Sequence, residues 1–193
     1  MSDLVRDMKS ALIKTGQQRS YDELLMLKSH LSGTEFVKNI VGNVLLPKQM
    51  DELCRSLVLE SFDKGQVVMR QGDTGDRMYI VLSGCCEVRL KQTVELAHGL
   101  SEVREKALYE CTKNMHFGEK ALQNDDVRGA SVVALEYSDL ISIHKLTYNN
   151  LIKSAIADAE SIASRNDQPG ACCCAYVSPR RYPSLSLLHA HAH

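Results

Sequence analysis

Apolar residues recur along the first third of the chain at intervals of three and four, the spacing of one helix face. Leu4, Met8 and Leu12 give a weak form of this pattern in an otherwise polar start. Residues 1–19 are therefore expected to be an extension, either a frayed helix or disordered. From Ser20 the signal sharpens. Ser20-Tyr21-Asp22-Glu23 reads as a capping box, in which the hydroxyl accepts from the third amide and the carboxylate reaches back. Leu24, Leu27 and Leu31 follow at helical spacing, and Ser32-Gly33 ends the element. Phe36, Ile40, Val41 and Val44 predict a second short helix. Pro47 opens a third over 48–57, with Met50, Leu53 and Leu57 on its apolar face.

From Val58 the period becomes that of strands. Short runs rich in Val, Ile, Leu and Tyr lie at 58–62, 66–70, 78–82, 87–90, 106–109 (the weakest), 130–135 and 140–144. Gly, Asp and Asn separate them. Such spacing predicts an antiparallel β-barrel or jelly roll with flanking helices, not a parallel α/β sheet. The polar stretch 91–105, containing TVELAHGLSEVRE, reads as a long mobile hairpin connection. Thr147 is expected to cap a last helix over 147–165, with Leu151, Ile152, Ala155, Ile156, Ala159 and Ile162 on one face. After Asn166 the period is lost, and three of the four prolines fall there. Residues 166–193 are expected to be a disordered tail. The pattern thus predicts one unit over 20–165: helical to 57, β from 58 to 146, then the terminal helix.

Composition narrows the function classes. The chain has 193 residues, and 23 Lys+Arg against 24 Asp+Glu give a net charge of −1. That balance predicts no general affinity for nucleic acid or anionic membrane, and no basic recognition helix follows Ile162. No apolar run reaches the roughly 18–20 residues of a membrane span. Seven Cys, including Cys85-Cys86 and the run of Cys172, Cys173 and Cys174, suit a reduced, cytoplasmic chain better than a disulfide framework. His98, His116 and His144 stand alone, so no metal site or metal cofactor is expected. No nucleophile-and-base set has supporting context, and the chain is read as a non-enzyme.

Two motifs carry the chemistry. The first, VMRQGDTGDRMYIVLSG at 68–84, is strand, Gly-Asp turn, apolar strand and glycine again. The second is FGEKAL at 117–122, followed after five residues by RGASV at 128–132. Gly118 lets the chain turn sharply, and residues 119–123 suit a single helical turn whose first amides point outward. Arg128 can fold over that seat and offer a guanidinium fork to a phosphate. Glu119 can accept hydrogen bonds from a sugar hydroxyl. These residues suit a phosphorylated ribose; they equally suit a loop brace in which Glu119 and Arg128 pair with each other.

In order and spacing the two motifs resemble the cyclic nucleotide-binding domain family, of the type in protein kinase A regulatory subunits and cAMP-activated Rap exchange factors. The resemblance runs from about Leu24 to Ile162, and FGEKAL…RGAS looks like the family's phosphate-binding cassette (117–131). It implies a ligand-binding set of Gly118, Glu119, Ala121, Leu122, Arg128, Gly129, Ala130 and Ser131. Glu119 would hold the ribose 2′-hydroxyl. Arg128 would bind the exocyclic phosphate oxygen, with the amides of Ala121 and Ala130 beside it. Leu122, Val132 and Val88 would wall the base, and Ser131 would lie against phosphate or base. Gly129 stands where cGMP-selective members have Thr, which favours cAMP as the ligand, with cGMP second. Asn114 replaces a usual Gly but tolerates the left-handed turn, and Met69 is a conservative strand change. Tyr148 is the one aromatic near the terminal helix, so base stacking is left unassigned.

The resemblance implies a regulatory module: cyclic nucleotide binding would move the terminal hinge helix and the N-terminal helices against an unidentified protein effector. Two alternatives stand beside it. One is an interaction domain of the same fold with little nucleotide affinity. The other is a fragment of a larger cAMP-regulated exchange factor.

Overall fold

The computed structural model describes residues 3–41, 44–95 and 101–166. Helices α1 (Asp3–Ile13), α2 (Tyr21–Gly33) and α3 (Pro47–Ser56) precede strands β1 (Val58–Phe62), β2 (Val67–Met69), β3 (Arg77–Ser83), β4 (Cys86–Glu95), β5 (Ser101–Cys111) and β6 (His116–Phe117). Helix α4 (Glu119–Gln123), strands β7 (Ser131–Ala134) and β8 (Ser138–His144), and helices α5 (Lys145–Thr147) and α6 (Ser154–Asn166) complete the order. The strands form two antiparallel four-stranded sheets, β1-β8-β3-β6 and β2-β7-β4-β5.

Strand β3 sets the layering. Its run Met78-Tyr79-Ile80-Val81-Leu82 is apolar without alternation, so both of its faces need cover. Met78, Ile80 and Leu82 join the helical core, with Leu27, Leu31, Phe36, Leu53 and Ile152. Tyr79 and Val81 point the other way, between the sheets, where they meet Cys86, Val88, Phe117, Val132 and Leu140. The first sheet is thus buried on both sides. On the second sheet water reaches the β5 edge, where every residue before Cys111 is exposed, while all four residues of β7 stay buried.

The capping box at Ser20 forms as expected: Ser20 N donates to Glu23 Oε2 at 2.8 Å and Glu23 N to Ser20 Oγ at 3.3 Å. Four expectations differ from what is observed. The N-terminal stretch is neither frayed nor disordered, because α1 buries Val5, Met8, Ala11 and Leu12. The buried face runs through Val5 and not the expected Leu4, which is exposed, and tertiary contacts dock it. Lys9 Nζ lies 2.8 Å from the buried Asp139 carboxylate, which also accepts from Ser61 Oγ at 2.7 Å and Ser83 Oγ at 2.9 Å. Burial raises the Asp139 pKa, but these bonds outweigh it and hold the carboxyl below its ordinary range.

The short helix expected after Phe36 is a π-helical turn, Val37–Val41. The stretch 91–105 is mostly strand rather than a loose connection, for β4 and β5 pair through Lys91↔Glu105, Thr93↔Val103 and Glu95↔Ser101. Opposed charges such as Lys91 and Glu105 hold a hairpin without an apolar face, which is why no alternation announces it. Thr147 does not cap the last helix. His144 takes that place, its Nδ1 accepting from Leu146 N at 3.2 Å, and a π-helical segment (Tyr148–Lys153) leads into α6. Leu151, Ile152 and Ala155 are buried as the periodicity predicts. The side chain of Ile162 and the tail 167–193 lie outside the described residues.

Candidate functional site

Two segments far apart in sequence are laced together at one end of the sheets. Arg128 N donates to Asp73 O at 2.8 Å, Gly72 N donates to Arg128 O at 2.9 Å, and Thr74 pairs with Val127. The Gly-Asp turn after β2 therefore brackets the start of the segment that leads into β7. Next to this bracket, Gln71 N donates to Ser131 Oγ at 3.0 Å.

The bracket fixes the Arg128 backbone, and its side chain turns inward until only 3% of the residue is exposed. Nη1 donates to Gly118 O at 2.7 Å, and Nη2 donates to Arg77 O. The Asp76 carboxylate stands 3.8 Å from Nη2 but is mostly exposed, so solvent screens that pair. Burial lowers the Arg128 pKa, against the raising effects of Tyr79 and Asp76. An arginine stays protonated through such a shift. Tyr79, in the intersheet core, is pushed up to about 12, chiefly by burial.

Glycines make room for the guanidinium. Gly118 has φ 88°, and a Cβ there would lie 2.8 Å from Arg128 Nη1. A Cβ at Gly75 would lie 2.7 Å from the Ala121 Cβ and 3.3 Å from Arg128 Cζ. A side chain at Gly118 would displace the arginine, and one at Gly75 would collide with Ala121 and crowd the arginine. Gly75 and the Arg77 carbonyl are site components that the sequence alone did not single out. The repeated Gly-Asp of GDTGD was the available sign, but only the crossing of the two loops gives it meaning.

Glu119 opens α4 and is half-buried. Its carboxylate makes no hydrogen bond or ion pair among the described residues, while its charge acts on Arg128, on His116 and on the Tyr109 hydroxyl. Ala121 and Ser131 are buried, Ala130 is half-buried, and Gly129 is exposed with nothing within 4 Å of a Cβ built on it. Val88 and Val132 are register partners on the intersheet face. Asn114 adopts the left-handed turn at φ 71° that its residue type permits.

Leu122 requires a correction. It was expected to wall the base alongside Val88 and Val132, yet it packs in the helical core with Met78, Tyr148 and Ile152. In a single helical turn adjacent residues cannot share a face, so with Ala121 turned toward Gly75 and Arg128, Leu122 is sent to the other side, into the helical core. It belongs to a set of ties between this loop and the terminal helix. Gln123 Nε2 donates to Tyr148 Oη at 3.0 Å, and Asp125 pairs with Lys145 at 2.8 Å and Lys153 at 3.6 Å.

A jelly roll with an arginine drawn beneath a glycine-led helical turn is the architecture of a small-ligand-binding module. The chain belongs to the cyclic nucleotide-binding domain family, whose model matches residues 59–155. A cAMP-dependent protein kinase regulatory subunit of Dictyostelium discoideum is 35% identical over 91 residues, covering 47% of this chain and 26% of that protein. The cGMP-dependent protein kinase 2 of Homo sapiens is 28% identical over 135 residues, 66% of this chain and 17% of that one. The chain thus spans about a quarter or less of these relatives. The regulatory domain of Toxoplasma gondii PKA, solved with cAMP, shares the fold at TM-score 0.56 and 22% identity, over 75% of this chain and 51% of that one. Among the described residues no helix is long and apolar enough to cross a membrane, and no group of His, Cys, Asp or Glu could hold a metal ion.

Proposed function

We propose that the chain binds a cyclic nucleotide, cAMP in preference to cGMP, at the 117–131 loop and passes the event to its flanking helices. The observation that carries this reading is the separation of Arg128 from Glu119. A loop brace would pair them, whereas Arg128 is held by the Gly118 and Arg77 carbonyls and Glu119 has no hydrogen-bonded partner among the described residues. Both terminal nitrogens of the guanidinium are anchored through one N–H each, which preorganises the remaining donors for a phosphate oxygen. Glu119 is left to accept from the ribose 2′-hydroxyl. The amides of Ala121 and Ala130 complete the phosphate seat, and Val88 and Val132 line the base. Ser131 contributes mainly by holding the Gln71 amide.

The experiment compares wild type and Glu119→Ala against cAMP and 2′-deoxy-cAMP. Losing a hydrogen bond to a charged group costs about 1.5–3 kcal/mol, so cAMP affinity is expected to fall at least tenfold. Affinity for the 2′-deoxy compound should barely move. Equal losses for both ligands would end the assignment of Glu119.

Selectivity rests on Gly129, which offers no hydroxyl to a guanine amino group. The open space beside it admits a threonine without a clash. Gly129→Thr is expected to raise cGMP affinity relative to cAMP by about 2–10-fold, the worth of one neutral hydrogen bond. Competition binding checks this, and a strong cGMP preference in the unmodified protein would contradict the cAMP assignment.

Switching is supported by the ties from the loop to the terminal helix, through Leu122, Gln123–Tyr148 and Asp125–Lys145. A shift of the loop on phosphate capture pulls on that helix and on the core it shares with α1–α3. The effector is a protein meeting those helices, and the names of the relatives point to a protein kinase. The ligand must favour one helix arrangement over the other, or nothing switches.

A further inference from the structure

The valine pair that lines the base continues across the sheet to a third residue. Strand β4 pairs with β7 so that Val88 opposes Val132, and with β5 so that Val88 opposes Tyr109. Directly opposed residues point to the same face of a sheet. Val132, Val88 and Tyr109 therefore form one row on the side turned toward the first sheet. Val132 and Val88 are 0% and 4% exposed, but Tyr109, on the edge strand, is 53% exposed. The next row, Ala134, Cys86 and Cys111, is buried throughout. Exposure thus opens at Tyr109, where the row passes from the intersheet core to the rim.

An irregularity in the strand pairing also bears on how the ring is aimed. The β4–β5 register shifts between Val88 and Arg89, leaving Leu108 as an extra residue beside Tyr109, and such irregularities re-aim neighbouring side chains. The Tyr109 pKa is raised by burial first, then by Cys111 and by the Glu119 carboxylate. The terminal helix does not compete for the role: Tyr148 is 1% exposed, and its hydroxyl is taken by Gln123.

We infer that Tyr109 is the base-stacking residue of this chain, its ring covering the purine from the rim of β5. The inference rests on the cyclic-nucleotide reading proposed above. Stacking uses the ring face and not the hydroxyl, so Tyr109→Phe keeps cAMP affinity. Tyr109→Ala lowers it by roughly 5–150-fold, the range for removing one aromatic from a base. Tyr109→Val, which keeps strand preference at the edge, shows the same loss and guards against a folding artefact.

The test measures cAMP and base-free ribose 3′,5′-cyclic phosphate against wild type and these three variants by competition. The expected result is a loss for cAMP alone in the Ala and Val variants, with the base-free compound unaffected. Undiminished cAMP affinity in Tyr109→Val overturns the stacking role while leaving the cyclic-nucleotide reading intact. Equal loss for both compounds assigns Tyr109 a structural part instead and also overturns it. A wild-type protein that binds neither cAMP nor cGMP removes the site reading and this inference together.

Discussion

Replacing Arg128 by Ala is expected to weaken cAMP binding by about 100-fold or more and to lower the melting temperature as well. Hydrogen bonds to charged groups are worth about 1.5–3 kcal/mol each, and 1.4 kcal/mol is a factor of ten. Loss of one such bond to the cyclic phosphate gives roughly 10–150-fold, and loss of a second multiplies it. The stability effect has a separate origin. Removing the side chain leaves the Gly118 and Arg77 carbonyls without their donor and opens a void beneath Gly75. Each orphaned buried acceptor costs about 1–3 kcal/mol. Arg128→Lys keeps the charge but cannot hold two carbonyls and a phosphate oxygen in a fork, so it should recover only part of either loss. Calorimetry at a temperature where all three proteins are folded separates the two effects. Wild-type cAMP affinity in folded Arg128→Ala would remove Arg128 from the binding site.

The largest stability change is expected away from the ligand, at Arg19. Its guanidinium is buried and donates to carbonyls only: Ala11 at 3.0 Å, Leu12 at 3.3 Å and Lys14 at 3.1 Å around the end of α1. On the other side it reaches Cys54 at 2.6 Å, Arg55 at 3.1 Å and Leu57 at 2.6 Å around the end of α3. Helix C-termini present unpaired carbonyls and partial negative charge, and one cation satisfies two of them at once. Burial lowers the Arg19 pKa, yet an arginine remains charged there. Arg19→Ala strands several acceptors in a site closed to water, so a loss of about 3–5 kcal/mol is expected. That is a large share of the roughly 5–15 kcal/mol that holds a domain together. Arg19→Lys should restore little, since an ammonium carries three donors where six bonds are made. Urea unfolding followed by far-ultraviolet circular dichroism measures it, and an unchanged midpoint in Arg19→Ala would refute the role.

Arg19 also shows where reading the sequence stops. It precedes a legible capping box by one residue, yet nothing local sets this buried arginine apart from those on the surface. Its partners lie 5–8 residues away on one side and 35–38 on the other. In α1 the buried face starts at Val5 rather than Leu4, and which of these two neighbours is covered is decided by the docking through Arg19 and the Lys9–Asp139 pair. The β4–β5 hairpin is hidden for the opposite reason. Beyond Val88 it is exposed or half-buried on both faces, so alternation, the usual sign of a strand, has nothing to report.

Short-range physics is enough to place the local elements. Ser20 and Glu23 cap α2, Pro47 opens α3, the runs from Val58 onward are strands, and the glycine-led turn at 117–122 is present where its residues dictate. The order and spacing of that turn and RGAS also carried the family. Direction and company come from the packing of the whole chain. It turned Leu122 from the base toward the helical core, gave Arg128 two backbone carbonyls instead of Glu119, and aligned Tyr109 with Val88 and Val132. A residue's type fixes what it can bond to. Which partner it meets depends on chain crossings between β2, β3 and β7, and no local pattern encodes a crossing.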